Sequence, residues 1–145
     1  MEHSTKMFLP CLLYLATASL SDIRTGRIPN SITLGFAAAA ISLDALKAPS
    51  KIPLKLSCAA FFLAVFLAVA LASKGLGCGD VKLAAAVGYC SGFLRASVSF
   101  ILACMIGIVF FMVCRAYGKK IERVPFAPLV ATGYTVSVLI YRRIL

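Results

Sequence analysis

Apolar residues run along this chain in six blocks, separated by short connections rich in Lys, Arg, Gly and Pro. The blocks cover about 7–21, 32–46, 52–72, 81–94, 96–114 and 125–141. A helix that crosses a bilayer needs roughly 20 apolar residues, with a range of about 17 to 25. The third, fifth and sixth blocks meet that length. The first, second and fourth are shorter and must draw on flanking residues or a thinned bilayer. The pattern predicts an all-α, polytopic membrane bundle of about six transmembrane helices; five crossings, or a re-entrant fourth segment, are the alternatives. Residues 1–145 are expected to form a single integral-membrane domain. A second reading of the N-terminus is a secretory signal, with Lys6, a short apolar run and "ATA" at 16–18; cleavage there would leave Asp22 almost at the new terminus.

Composition sharpens this picture. Hydrophobic residues make up 61% of the chain and charged residues 14%, with a mean hydropathy of +0.97. A soluble domain carries about 45–50% apolar and about 25% charged residues, so there is too little polar surface here to cover a globule in water. The net charge of +10 is scattered through the connections, as in proteins whose helix ends meet anionic headgroups. Without a basic stripe or an aromatic platform it does not point to nucleic acid. In the six-span arrangement, eight of the 15 basic residues fall on one side and seven on the other, which leaves orientation open on charge alone.

Other chemistries find little support. The six cysteines (Cys11, Cys58, Cys78, Cys90, Cys104 and Cys114) form no CxxC, and five lie in apolar runs. They read as small hydrophobes packed between helices, not as a zinc site or disulfide framework. The one histidine, His3, sits in the N-terminal tail. No metal and no cofactor are expected. Ala84, Gly88 and Gly92 recur every four residues, and Gly35 and Ala39 repeat the spacing in the second block. Such small-residue stripes let backbones approach and place the second and fourth helices deep in the bundle.

Five carboxylates remain: Glu2, Asp22, Asp44, Asp80 and Glu122. Asp22 closes the first helix and Asp80 opens the fourth. Two crossings lie between them, so both are expected at one membrane face, with Asp44 at the other. Two carboxylates close together in a low dielectric share a proton. The ionised member can draw a proton from water while the protonated one polarises a carbonyl, which is aspartic-protease chemistry. Gly77 and Gly79 are expected to permit positive φ in the preceding turn and to admit a substrate backbone. Asp80 taken alone also reads as a helix N-cap, and capping with the helix dipole makes it the candidate for the ionised partner. Asp22 taken alone reads as an interfacial residue paired with Arg24 or Arg27. In "RIPN" at 27–30, Pro29 fixes φ and Asn30 is the expected cap of the second helix. Glu122 and the basic loop at 115–123 suit headgroups or substrate.

"SDIRTGRIPNSIT" at 21–33 together with "GLGCGDVKLAAAVG" at 75–88 resembles the type IV prepilin peptidase family, bacterial leader peptidases among the GxGD membrane aspartic proteases. "VPFAPLVATGY" at 124–134 resembles the family's third signature, in order and at similar separation. The resemblance implies that Asp22 and Asp80 are the catalytic pair and that Gly77 and Gly79 shape the loop. It gives Lys82, Pro29, Asn30, Pro125 and Pro128 supporting positions. The implied substrates are prepilin or pseudopilin precursors, cut after a glycine that ends a basic leader, on the cytoplasmic side of the bacterial inner membrane. Larger members carry an N-terminal region with paired CxxC motifs associated with N-methylation. Its absence from the sequence points to a short, peptidase-only member of the kind found with Tad/Flp-type pili. Two rivals stay open: a small proton- or cation-coupled transporter, and a non-catalytic membrane partner in pilus or secretion assembly. Neither the precursor nor the oligomeric state is legible.

Overall fold

The computed structural model describes residues 8–25, 28–73, 77–117 and 126–144. Among them are six α-helices and no strand: α1 (Phe8–Thr25), α2 (Asn30–Lys47), α3 (Ile52–Ser73), α4 (Cys78–Ser91), α5 (Phe93–Ala116) and α6 (Phe126–Ile144). A single 3-10 turn, Pro49–Lys51, leads from α2 into α3. The all-α reading holds, and each apolar block corresponds to one helix. Prolines fall where a helix tolerates them. Pro53 and Pro128 lie in the first turns of α3 and α6, where the missing N–H has no intrahelical partner to lose.

Helix α4 is the centre of the bundle. Val81, Leu83, Ala84 and every residue of 86–91 are buried, with α3 packed along its length and α1, α2, α5 and α6 also in contact. Small residues make this possible. A Cβ at Gly88 would stand 2.7 Å from the Phe62 ring and 3.2 Å from the Cys58 carbonyl. The second close pair is α5 with α6, where a Cβ at Gly133 would collide with the Ser99 carbonyl. Ser99 and Ser137, both buried, share a hydrogen bond of 2.8 Å across that interface. Helix α1 lies against α6 and joins α2 through Tyr14, whose ring stacks on Phe36 at 4.3 Å and whose hydroxyl donates to Thr33.

The small-residue stripes divide. Ala84 and Gly88 pack as expected, but α2 is peripheral, burying only Thr33, Ala40 and Asp44. A Cβ at Gly35 would meet nothing within 4 Å, and Ala39 is exposed. Small size permits close approach without enforcing it, and here Phe36 makes the contact instead. Gly92 does not belong to the stripe either. It links α4 to α5 with φ 74°, the left-handed conformation glycine tolerates, so Phe93 and Leu94 open α5 instead of closing α4. Of the cysteines, Cys11 and Cys90 pack in the core, whereas Cys104 faces outward.

Among the described residues, 49–72 and 93–116 are long and apolar enough to cross a membrane. The sixth helix presents a shorter apolar stretch, Phe126–Tyr141. A core helix of a soluble protein would be mostly covered. Only 6% of the α3 window and 17% of the α5 window are buried. Their outward faces carry Leu54, Leu67, Leu71, Ile101, Ile108 and Met112, an apolar surface suited to hydrocarbon and not to water.

Candidate active site

Four helix ends converge at one pole of the bundle: the end of α1 with Asp22, and the starts of α2, α4 and α6. At the start of α4, Gly77 is the N-cap residue, with φ −76° and ψ 150°. Its carbonyl accepts from the amides of Asp80 (3.0 Å) and Val81 (3.4 Å). Asp80 is therefore the third residue of the helix and not its cap. Its Oδ2 reaches back to accept from the Gly77 N–H at 3.2 Å, the acidic half of a capping box.

The glycines act differently from expectation. Gly77 is extended, and Gly79 lies inside the first helical turn, so neither uses positive φ. What Gly79 provides is a close approach to Ile28: a Cβ there would stand 3.2 Å from the Ile28 Cβ and 3.4 Å from its backbone nitrogen. Ile28 is buried and immediately precedes Pro29, so the α1–α2 connection rests directly on the turn that carries Asp80. A second tie lies beside it. Lys82 Nζ donates to Asn30 Oδ1 at 2.7 Å. Asn30 is thus not the cap of α2. Pro29 holds that position, its carbonyl accepting from Ile32 and Thr33, and the Asn30 side chain is left to take the Lys82 ammonium. A double-mutant cycle of Lys82→Met and Asn30→Leu should return a coupling of about 1 kcal/mol in unfolding experiments, the usual scale for an exposed charge-assisted hydrogen bond.

Asp22 is half-buried. Its Oδ2 accepts from the Ala127 N–H at 3.2 Å, an amide in the first turn of α6 that has no intrahelical acceptor. Among the described residues this is its hydrogen-bond partner, in place of Arg24; Arg27 lies outside those residues. Pro128 follows Ala127 and helps open α6. Pro125, Glu122 and most of the basic loop lie outside the described residues.

The Asp80 carboxyl is shaped by its surroundings. Burial pushes the Asp80 carboxyl above the ordinary aspartate range; the Gly77 amide pulls it down, and the negative charge of Asp22 adds to the rise. Burial thus outweighs the cap, and Asp80 is the member biased towards holding a proton, contrary to the reading from capping alone. Asp22 and Asp80 lie at one pole of the bundle, as counting crossings led one to expect, while Asp44 does not. Asp44 is 1% exposed at the far pole, where it accepts from Lys55 Nζ at 2.7 Å.

Two contributors escaped residue-type reasoning. The Ala127 donor is a backbone group, signalled only by the Pro-Phe-Ala-Pro stretch around it. Ile28 sat inside the "RIPN" turn, but its role depends on the absent side chain of Gly79.

Fold and site together define an apolar α-helical protein that gathers two aspartates at one pole. The chain belongs to the type IV leader peptidase family, whose sequence model matches residues 8–112. It is 32% identical over 140 residues to the prepilin leader peptidase/N-methyltransferase of Bacillus subtilis (strain 168), covering 93% of this chain and 53% of that one. The chain thus spans about half the length of the curated relative it matches. No solved structure matches.

Proposed function

We propose that this protein is a membrane aspartic endopeptidase that removes the basic leader from prepilin-like precursors at the cytoplasmic face of the inner membrane. The observation that supports the reading is that Asp22 and Asp80, both half-buried, lie at the same pole of the bundle, where four helix ends meet. In the proposed mechanism Asp80 carries the shared proton and directs it at the oxygen of the scissile carbonyl. Asp22 takes a proton from water as the water oxygen attacks the carbonyl carbon. Collapse of the tetrahedral intermediate breaks the C–N bond, and the proton held by Asp22 passes to the leaving amine. The chain crosses the bilayer six times as one domain in this reading. The proposal is confined to peptidase activity of the short, Tad/Flp-associated kind. The relative's name also carries an N-methyltransferase activity, and the paired CxxC motifs associated with it are absent from these residues.

The test is processing of candidate prepilins in cells that express the chain, scored by the size of the mature product. Shortening of a precursor supports the reading; no shortening of any precursor, with the protein present in the membrane, favours transport or assembly. The pH dependence is a second check. Activity that needs Asp80 protonated is expected to persist below its raised pKa and to fall as pH climbs through it. The alkaline limb of kcat/KM should therefore lie above the ordinary carboxylate range.

A further inference from the structure

The two helices that bring the aspartates to one pole carry a matched pair of thiols towards the other. Helix α1 ends at the aspartate pole and α4 begins there, so the two run antiparallel where they meet. Back from Asp22, the inward stripe of α1 is Ala18, Leu15 and Cys11, all fully buried; onward from Asp80, that of α4 is Leu83, Val87 and Cys90. At 1.5 Å per residue, Cys11 lies about 16 Å from Asp22 along its helix and Cys90 about 15 Å from Asp80. The cysteines therefore come level with each other. They are neighbours in the core, with the Tyr134 and Ser91 hydroxyls beside Cys11.

Both are free thiols, and they differ in access. Cys11 is 0% exposed. Cys90 is 5% exposed, one turn from the end of α4, and lines a cavity of about 530 Å³ beside the α4–α5 turn at Gly92. A thiol reached from a cavity, with a second thiol sealed behind it, can convert a mixed disulfide into an internal one.

We propose that Cys11 and Cys90 are an oxidisable dithiol whose disulfide ties α1 to α4. The oxidant is a low-molecular-weight disulfide. The Cys90 thiolate attacks one of its sulfurs, and the thiolate that leaves takes up the Cys90 proton. The Cys11 thiolate then attacks the Cys90 sulfur of the mixed disulfide and expels the second half, which takes up the Cys11 proton. Two protein thiols and one small disulfide become one protein disulfide and two small thiols. The bond closes a loop that contains α2 and α3, and it joins the helices that present Asp22 and Asp80. In the orientation proposed above, this pole faces away from the cytoplasm, where disulfides persist; the chemistry itself does not depend on the peptidase reading.

The experiment uses the full chain, purified reduced in detergent and exposed to hydroxyethyl disulfide below its melting temperature. Remaining thiols are blocked with N-ethylmaleimide in denaturant, and the products are read by intact mass and peptide mapping. A cross-linked Cys11–Cys90 peptide is expected, lighter by two hydrogens than its reduced halves and removed by dithiothreitol. Cys11→Ser should leave Cys90 carrying a mercaptoethanol adduct, and Cys90→Ser should leave Cys11 unmodified. Cys104→Ser, which removes an exposed thiol, should form the bond as wild type does. The oxidised protein should melt several degrees above the reduced one, a difference absent in Cys11→Ser. Where a single variant does not fold, mapping and melting of wild type decide. A bond from Cys90 to Cys58, which lines the same cavity, overturns the proposal. So do adducts without a bond, an unreactive Cys90, an adduct on Cys11 in Cys90→Ser, or an oxidised form that melts no higher.

Discussion

Asp22→Asn and Asp80→Asn are each expected to abolish precursor cleavage while leaving the protein in the membrane. General acid–base catalysis by a positioned carboxyl contributes on the order of 10²–10⁴-fold. In a dyad that shares one proton, loss of either member removes both functions, so the two single variants and the double variant should be equally inactive. The measurement is the ratio of processed to unprocessed precursor, normalised to enzyme in the membrane fraction. Residual cleavage in either single variant would sink the shared-proton mechanism.

The same substitution at Asp80 should act on stability in the opposite direction. Burial raises the Asp80 carboxyl and the Asp22 charge raises it further, so the ionised form is disfavoured in the folded protein relative to the unfolded chain. Wild type therefore has its full stability below the unfolded pKa and loses part of it as pH rises through the folded one. Asn can still accept from the Gly77 amide and carries no charge. Asp80→Asn should melt above wild type at neutral pH, with the gap closing in acid, as read by thermal unfolding in detergent. A gap that widens in acid would mean that the carboxylate is stabilising in the fold, and would make Asp80 the ionised partner.

The largest structural effect is expected at Gly133. A Cβ there would collide with the Ser99 carbonyl and stand 3.0 Å from the Ala103 nitrogen, both backbone atoms of α5 that cannot rotate away. Gly133→Ala must push α6 off α5, at a cost of about 3 kcal/mol, and should strain the Ser99–Ser137 hydrogen bond one turn along. Because α6 also presents the Ala127 amide to Asp22, cleavage should fall together with stability. Gly35→Ala is the control: its Cβ meets nothing, and Ala favours a helix over Gly by about 1 kcal/mol. Unfolding midpoints of the two variants should move in opposite directions. A neutral Gly133→Ala would mean that α5 and α6 pack less closely than described.

The sequence by itself determined the helical class, the six segments and the two aspartates. Those features are local: apolar composition over a segment suits hydrocarbon wherever the segment lies, and parity follows from counting helices between Asp22 and Asp80. Which neighbour each residue meets was decided only by the tertiary structure. Gly35 and Gly88 occupy similar sequence patterns, yet one faces outward and the other admits Phe62, because a small side chain leaves room without specifying what fills it. Asn30 looked like a helix cap until Lys82, 52 residues away, claimed its carbonyl oxygen. Asp80 looked like the ionised partner from its helix position. Burial and Asp22 reverse that bias, because desolvation depends on every helix packed around a carboxyl and cannot be read from the residues beside it.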